Sequence, residues 1–313
     1  MSGAAHTTFP ATPLVGRDRE LASLRAHLDA ALVGHGSLVL IGGEAGIGKT
    51  ALAEATLAEA ADRGALVLAG RCYDLSETPP YGPWAEALGR APRGDELSAL
   101  PTALLPPEQE GTVLTSQDAI FRSALAYLAA LTAGQPLALL LDDLHWADPA
   151  SLDLLRLLAR QLVGRPLLLL ATYRADELTR RHPLARLLPL LVREARAQRL
   201  DLRPLDEVGL RALVAHYALP SGDEDRLIGH LAGRAEGNPF YTAELLRALD
   251  EEGVLRRGPR GWALGDPESA GFPPPVAAGD RGATGAARGA GGAAPRCRRG
   301  RRPGGAAAPV GDR

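Results

Sequence analysis

The chain has 313 residues and a formal net charge of −2, and its length suggests about two domains on the usual scale of 100–200 residues each. Eight Arg and two Asp lie in residues 276–313, which leaves −8 for residues 1–275. This balance argues against a duplex-binding surface on the folded part, because such surfaces neutralise phosphates with Lys and Arg. Cys72 and Cys297 match no disulfide or metal spacing, so we expect a cytoplasmic protein.

The first segment, residues 1–13, is short and polar and lacks an apolar core. This composition predicts a disordered leader and not a secretory signal. Residues 14–20 then open a helix that ends at residues 34–36. Its apolar positions recur at helical spacing and are Leu21, Leu24, Leu28 and Leu32. No apolar run in the chain approaches the ~20 residues that span a bilayer, so we expect no membrane association.

A glycine-rich stretch follows the apolar run at residues 38–41 and precedes a segment rich in Ala, Leu and Glu, an order that predicts strand, loop and helix. It fits the spacing G-x-x-x-x-G-K-[ST] of a phosphate-binding P-loop, in which backbone N–H groups surround phosphate oxygens. We expect Lys49, the only lysine in the chain, to reach the β- and γ-phosphates and the Thr50 hydroxyl to bind Mg²⁺. The candidate nucleotide-binding residues are Gly43, Glu44, Ala45, Gly46, Ile47, Gly48, Lys49 and Thr50.

Two acidic residues, Asp142 and Asp143, follow the apolar run at residues 137–141. A P-loop needs a carboxylate at the end of a neighbouring strand to hold Mg²⁺. We therefore expect Asp142 to bind Mg²⁺ through water and Asp143 to polarise the water that attacks the γ-phosphate. The alternative for Asp143 is to cap the segment that follows.

The next apolar run, residues 167–172, ends at Arg174, which places a guanidinium at the edge of the sheet where ligands bind in open α/β folds. Arg174 is a candidate sensor of the γ-phosphate, and the alternative is a surface salt bridge with Asp176 or Glu177. His145 and Trp146 are assigned to packing and capping.

Strands alternate with helices from residue 14 to residue 205, with further strands expected at residues 65–69 and 199–202. This alternation predicts a mostly parallel sheet with helices on both faces. From residue 206 to residue 252 only helices are expected, which suggests a helical lid domain. A hairpin is expected within residues 253–275, which begin a further small segment.

The last 38 residues, 276–313, consist of Gly, Ala, Pro and Arg at 32 positions and contain no Leu, Ile, Phe, Tyr or Trp. Such a segment buries too little apolar surface to offset its ordering entropy, so we expect disorder. Three origins stay open: a genuine disordered tail, a basic arm, or a reading-frame shift. The third is favoured, because a frame one base later is compatible with an amphipathic helix after Pro275.

Together these features resemble the STAND class of P-loop ATPases, in particular the nucleotide-binding module of MalT-like and large LuxR-type bacterial transcriptional regulators, an Orc1-like AAA ATPase domain. The resemblance covers about residues 14–275. It is carried by the P-loop and by residues 15–20, 70–73, 80–84, 142–148, 171–174, 202–205 and 236–240.

The resemblance implies that ATP and Mg²⁺ are the cofactors. It places Val15, Gly16 and Arg17 against the adenine and ribose, and Pro239 against the base from the lid. The alternatives are a helix-initiating turn for the first three and a proline at the first helical position for Pro239. The resemblance further implies that residues 253–275 begin a truncated winged-helix-like segment.

The expected function is an ATP-binding, slowly ATP-hydrolysing switch of a transcriptional regulator, with ATP or ADP as partner. Relatives carry DNA binding in a C-terminal helix-turn-helix that these residues do not contain, so we expect no DNA binding from this chain. Self-association through the ATPase domain is left open. The alternatives are a P-loop kinase that acts on a small molecule and a non-functional, truncated remnant.

Overall fold

The computed structural model describes residues 14–74, 79–92, 104, 116–258 and 261–269. The expectations for residues 1–13 and 276–313 lie outside the described residues, as does the end of the predicted segment 253–275.

The sheet contains β1 (Ser37–Gly43), β2 (Leu66–Arg71), β3 (Leu137–Asp142), β4 (Leu167–Arg174) and β5 (Gln198–Asp201). Its strand order is β2-β3-β4-β1-β5, and all the neighbouring pairs are parallel. The register pairs Gly43 with Arg174 and Arg71 with Asp142. Because parallel strands end at the same edge of a sheet, the predicted site residues at these strand ends share one edge.

Helices cover both faces of this sheet: α1 (Asp18–Leu32), α2 (Lys49–Asp62), α3 (Gly82–Gly89), α4 (Gln117–Gly134), α5 (Pro149–Ala159) and α6 (Pro183–Ala195). Successive strand residues point to opposite faces, so β1 contributes to two cores. Leu38 and Leu40 pack in one core with α3, α4, α5 and α6. Val39 and Ile41 pack in the other core, with α1 and α2. This arrangement confirms the predicted parallel sheet with helices on both faces.

The sequence prediction missed α6, which lies between β4 and β5. Pro183 occupies its first turn, where proline is tolerated, but Pro189 lies inside the helix, where proline ordinarily interrupts the hydrogen bonds. Its apolar side is buried all the same, through Leu184, Leu187, Leu188 and Leu191. Tertiary packing therefore stabilises a helix that residue propensity disfavours.

A helical region follows the sheet and contains α7 (Glu207–Val214), α8 (Ser221–Ala235) and α9 (Pro239–Glu251). The antiparallel strands β6 (Leu255–Gly258) and β7 (Gly261–Leu264) come next and form the expected hairpin. Leu255 and Leu264 are buried with apolar residues of α7, α8 and α9, so the hairpin shares the core of the helical region. Within the described residues, no helix has the length and hydropathy needed to cross a membrane.

Candidate nucleotide-binding site

The P-loop connects the end of β1 to the start of α2 through three glycines with positive φ. Gly43, Gly46 and Gly48 have φ values of 153°, 74° and 98°, which side chains of L-residues rarely adopt. A Cβ on Gly46 would also lie 2.8 Å from the Cβ of Phe240. Glycine is therefore required both by the backbone angle and by the close approach of the helical region.

Lys49 begins α2 and is only 6% exposed. Its Nζ donates to the carbonyl oxygens of Gly43 and Glu44, at 3.0 and 2.7 Å. Burial lowers the pKa of Lys49, and the nearby charge of Arg174 lowers it further. An anionic ligand would relieve this cost, because a nearby negative charge stabilises the ammonium form.

Three further P-loop carbonyls accept hydrogen bonds from residues outside the loop. The Ala45 carbonyl accepts from Asn238 Nδ2 at 2.9 Å, and the Gly46 carbonyl accepts from the Phe240 N–H at 3.2 Å. The Ile47 carbonyl accepts from Arg17 Nη2 at 3.0 Å. In a trans peptide the following N–H points to the side opposite the carbonyl, so these bonds direct N–H groups of the loop away from the donors.

The carboxylate of Asp142 lies at the end of β3, 5% exposed, and contacts the P-loop directly. Thr50 Oγ1 donates to it at 3.0 Å to Oδ1 and 3.2 Å to Oδ2, and Thr172 of β4 donates to Oδ1. Burial raises the pKa of Asp142, while the hydrogen bond from Thr172 acts in the opposite direction. Two strands and the P-loop therefore position one carboxylate.

Asp143 follows β3 in the left-handed region, with φ 59°, and is 4% exposed. Its N–H donates to Thr172 Oγ1 at 2.9 Å. Its carboxylate accepts from Arg71 at the end of β2, at 2.9 Å from Nη2 and 3.2 Å from Nε. Asp143 therefore lies beside Asp142 but is held by a guanidinium.

Arg174 ends β4 and forms an ion pair with Glu177. Its Cζ lies 4.9 Å from the centre of the Trp146 ring, and its backbone N–H donates to His145 Nδ1 at 3.4 Å. His145 is buried, and burial lowers its pKa to about 4. The pair with Glu177 is one of the two arrangements that the sequence suggested, and the side chain stays close enough to Lys49 for their charges to interact.

The residues predicted to contact adenine and ribose lie between the sheet and the helical region. Arg17 is 5% exposed, and its guanidinium bridges the Ile47 and Arg203 carbonyls, at 3.0 and 2.8 Å. A Cβ on Gly16 would lie 3.1 Å from the Cα of Gly209 in α7. Val15 is half-buried beside them, and Pro239 is half-buried in the first turn of α9. The structure thus brings this segment to the P-loop through Arg17.

The donor set fits a magnesium nucleotide. Mg²⁺ takes hard oxygen ligands, commonly one or two carboxylates together with phosphate oxygens and waters. The Thr50 hydroxyl and the Asp142 carboxylate, 3.0 Å apart, supply such oxygens. The described residues contain no group of three or more His, Cys, Asp or Glu that could hold a metal ion.

Three contributors to this site, Arg71, Thr172 and Asn238, lie in segments that carry the resemblance, but the sequence prediction gave them no role in the site. Arg71 and Thr172 lie at strand ends beside the acidic pair, a position that the strand order alone reveals. Asn238 had a visible signal, because it precedes Pro239 and is therefore at the N-cap of a helix that begins with proline. Its contact with Ala45 has no sequence signal.

Comparison with solved structures finds this fold in one protein at low sequence identity, and a weaker match in a second. Cdc6p from Pyrobaculum aerophilum matches with a TM-score of 0.54 and 16% identity, over 79% of this chain and 65% of that chain. The Aeropyrum pernix ORC1 protein, solved in complex with DNA, matches with a TM-score of 0.48 and 22% identity, over 77% of this chain and 60% of that chain. The chain therefore spans less than two thirds of either protein.

An uncharacterized protein of Rhizobium meliloti (strain 1021) is 28% identical in an alignment of 222 residues that covers 62% of this chain and 21% of that protein. The chain thus spans about a fifth of this relative. The family model of the AAA ATPase domain matches residues 13–170, about half of the chain and including the P-loop and the acidic pair. This match shows that the chain belongs to the AAA ATPase domain family.

Proposed function

We propose that this chain is an ATP-binding switch module of a bacterial transcriptional regulator, which binds Mg²⁺ with the nucleotide and hydrolyses ATP slowly. Residues 14–205 form the ATPase domain of this proposal, and residues 206–252 form its lid. The coarser part, a nucleotide-binding AAA domain, follows from family membership. The regulatory role comes from the resemblance to STAND-class regulators.

One observation in particular supports the proposed switch. The helical region donates two hydrogen bonds to the P-loop, from Asn238 Nδ2 to the Ala45 carbonyl and from the Phe240 N–H to the Gly46 carbonyl. A phosphate bound in the loop and the orientation of α9 therefore act on the same peptide groups. A ligand that favours one arrangement of these groups shifts the helical region with them.

The chemistry proposed for the site needs positioning and charge neutralisation more than covalent participation. Lys49 would turn from the Gly43 and Glu44 carbonyls to the β- and γ-phosphates. Thr50 and Asp142 would hold Mg²⁺, which supplies neutralisation of phosphate charge when bound. Asp143 would orient the attacking water, and Arg174 would leave Glu177 to contact the γ-phosphate.

The adenine end of the proposed site is formed by the segment before α1 and by the start of α9. Val15, Gly16 and Arg17 would line one side and Pro239 the other. The support for this placement is that Arg17 already joins the loop to Arg203, next to the helical region. The base would then lie between the ATPase domain and the lid.

The test is a titration of ATP into the protein and into Lys49→Met and Lys49→Ala. The wild-type chain should bind ATP, and both variants should lose binding by at least about 100-fold, since the charge that meets the phosphates is gone. Lys49→Met keeps most of the buried stem, so its thermal unfolding should stay close to that of the wild type. ATP affinity unchanged in both variants would reject the proposal.

A further inference from the structure

Arg71 is a cation at the acidic pair that no role above accounts for. Its Nη2 lies 2.9 Å from Asp143 Oδ2, and its Nε lies 3.6 Å from Asp142 Oδ2. The Arg71 side chain is 50% exposed, whereas the side chains of Asp142 and Asp143 are 7% and 6% exposed. A guanidinium at the surface thus covers two buried carboxylates.

Several carboxyl groups surround the Arg71 guanidinium. Glu54 on α2 also interacts electrostatically with Asp142 and with Arg71, and both burial and Asp142 raise its pKa. The pKa of Arg71 is itself raised, chiefly by its hydrogen bond to Asp143. The carboxyl groups of Asp142, Asp143 and Glu54 therefore act on this guanidinium, and Lys49 is a second cation whose charge acts on Asp142 and Asp143.

The position of this cluster matters because Asp142 also contacts Thr50. The Thr50 hydroxyl lies 3.0 Å from Asp142 Oδ1, while Arg71 approaches the other oxygen, Oδ2. A divalent cation held between Thr50 and Asp142 would lie within a few ångströms of the guanidinium. Two cations at this separation repel each other, and partial burial of the carboxylates limits the screening by water.

We propose that Arg71 is an internal counter-cation of Asp142 and Asp143, which occupies the acidic pair and must withdraw before Asp142 binds Mg²⁺. The inference rests on the proposed function, because it concerns the same metal site. Arg71 weakens metal binding by its positive charge. Arg71 is thus a positioning residue that sets the concentration of Mg²⁺ at which the site fills.

The experiment titrates Mn²⁺, which binds similar oxygen ligands, into the full chain with and without ADP, and follows free Mn²⁺ by electron paramagnetic resonance. Arg71→Ala and Arg71→Gln should bind Mn²⁺ more tightly than the wild type, on the order of tenfold. Arg71→Lys keeps the charge and should stay within about threefold of the wild type. Arg71→Gln keeps much of the side-chain stem if the alanine variant folds poorly.

The matched control is Arg156→Ala. Arg156 is 42% exposed and also forms a two-oxygen ion pair, with Glu194, but on α5 and α6 away from the acidic pair. Its removal should leave Mn²⁺ affinity unchanged. Unchanged or weaker Mn²⁺ binding in Arg71→Ala and Arg71→Gln would overturn the inference, as would equal tightening in Arg71→Lys. Failure of the wild type to bind ADP would reject the proposed function alone, because the titrations without nucleotide still compare the variants.

Discussion

Asn238 Nδ2 donates a 2.9 Å hydrogen bond to the carbonyl of Ala45, across 193 residues of sequence. The same side chain accepts from the Phe240 N–H at 3.1 Å, so it caps α9 while it holds the P-loop. Asn238 is 5% exposed, and a buried amide that makes both bonds is fully committed to this geometry. The orientation of α9 and the shape of the phosphate-binding loop are therefore linked through one residue.

This link predicts different results for two substitutions of Asn238. Asn238→Ser retains an oxygen that caps α9 but cannot reach Ala45, so stability should fall by about 0.5–1 kcal/mol, the cost of that hydrogen bond, while ATP affinity falls severalfold. Asn238→Ala loses the cap as well and should cost about 1–2 kcal/mol of unfolding free energy. Denaturant unfolding and ATP titration of both variants measure the two effects. Unaltered ATP affinity in both would show that the contact does not support the loop.

Asp143→Asn is predicted to retain ATP binding and to lose turnover. The amide keeps an oxygen that accepts from Arg71, so the local structure should persist, but it lacks the charge that polarises a water. The hydrolysis rate should fall at least tenfold, with the ATP dissociation constant within about threefold of the wild type. Asp153→Asn, an exposed substitution on α5, is the control and should leave both values unchanged. An unaltered rate in Asp143→Asn contradicts the role assigned to this carboxylate.

Gly16 is predicted to be more sensitive to alanine than Gly34, although both have positive φ, 68° and 90°. A Cβ on Gly16 would lie 3.0 Å from Leu205 Cδ2 and 3.1 Å from Gly209 Cα, whereas a Cβ on Gly34 meets nothing within 4 Å. Gly34→Ala should therefore cost only the backbone term of about 1 kcal/mol, and Gly16→Ala about 2 kcal/mol or more. Urea unfolding of the two variants measures the difference. Equal losses would mean that the segment before α1 does not pack closely on the helical region.

His145 is predicted to make stability fall at mildly acidic pH. Its folded pKa of about 4 is below the ordinary value of 6.5, because burial disfavours the charged imidazolium. The charges of Arg174 and Lys49 lower this pKa further, and the charge of Asp143 acts in the opposite direction. The unfolded chain therefore binds a proton first as the pH falls, so the contribution of His145 is complete above about pH 6.5 and is lost toward pH 4. Between pH 7 and pH 5 the loss should be about 2 kcal/mol.

The corresponding measurement is denaturant unfolding of the wild type and of His145→Asn at pH 7, 6 and 5. The variant has no imidazole to titrate, so its stability should change less over this range. Parallel pH profiles for the two proteins would count against the assignment.

Much of the fold was predictable because its signals are local. Continuous apolar runs identify β1, β3 and β4, and apolar residues at helical spacing identify α1. The exception is α6, whose Pro189 disfavours a helix until the leucines around it are buried. Its existence depends on the sheet against which it packs.

The residues of the site divide in the same way, into those that local signals predict and those that they do not. The sequence by itself determined which residues can hold a phosphate. Gly43, Gly48, Lys49 and Thr50 belong to one continuous loop, so their spacing along the chain is enough to identify it. The tertiary structure alone decided the rest: that Thr50 meets Asp142, that Asn238 and Arg17 bind the loop carbonyls, and that Arg71 covers the acidic pair. These contacts join strand ends and helix caps that are distant in the chain, and the order of strands brings them together. A motif read along the chain carries no information about that order, because it is set by the packing of the whole sheet.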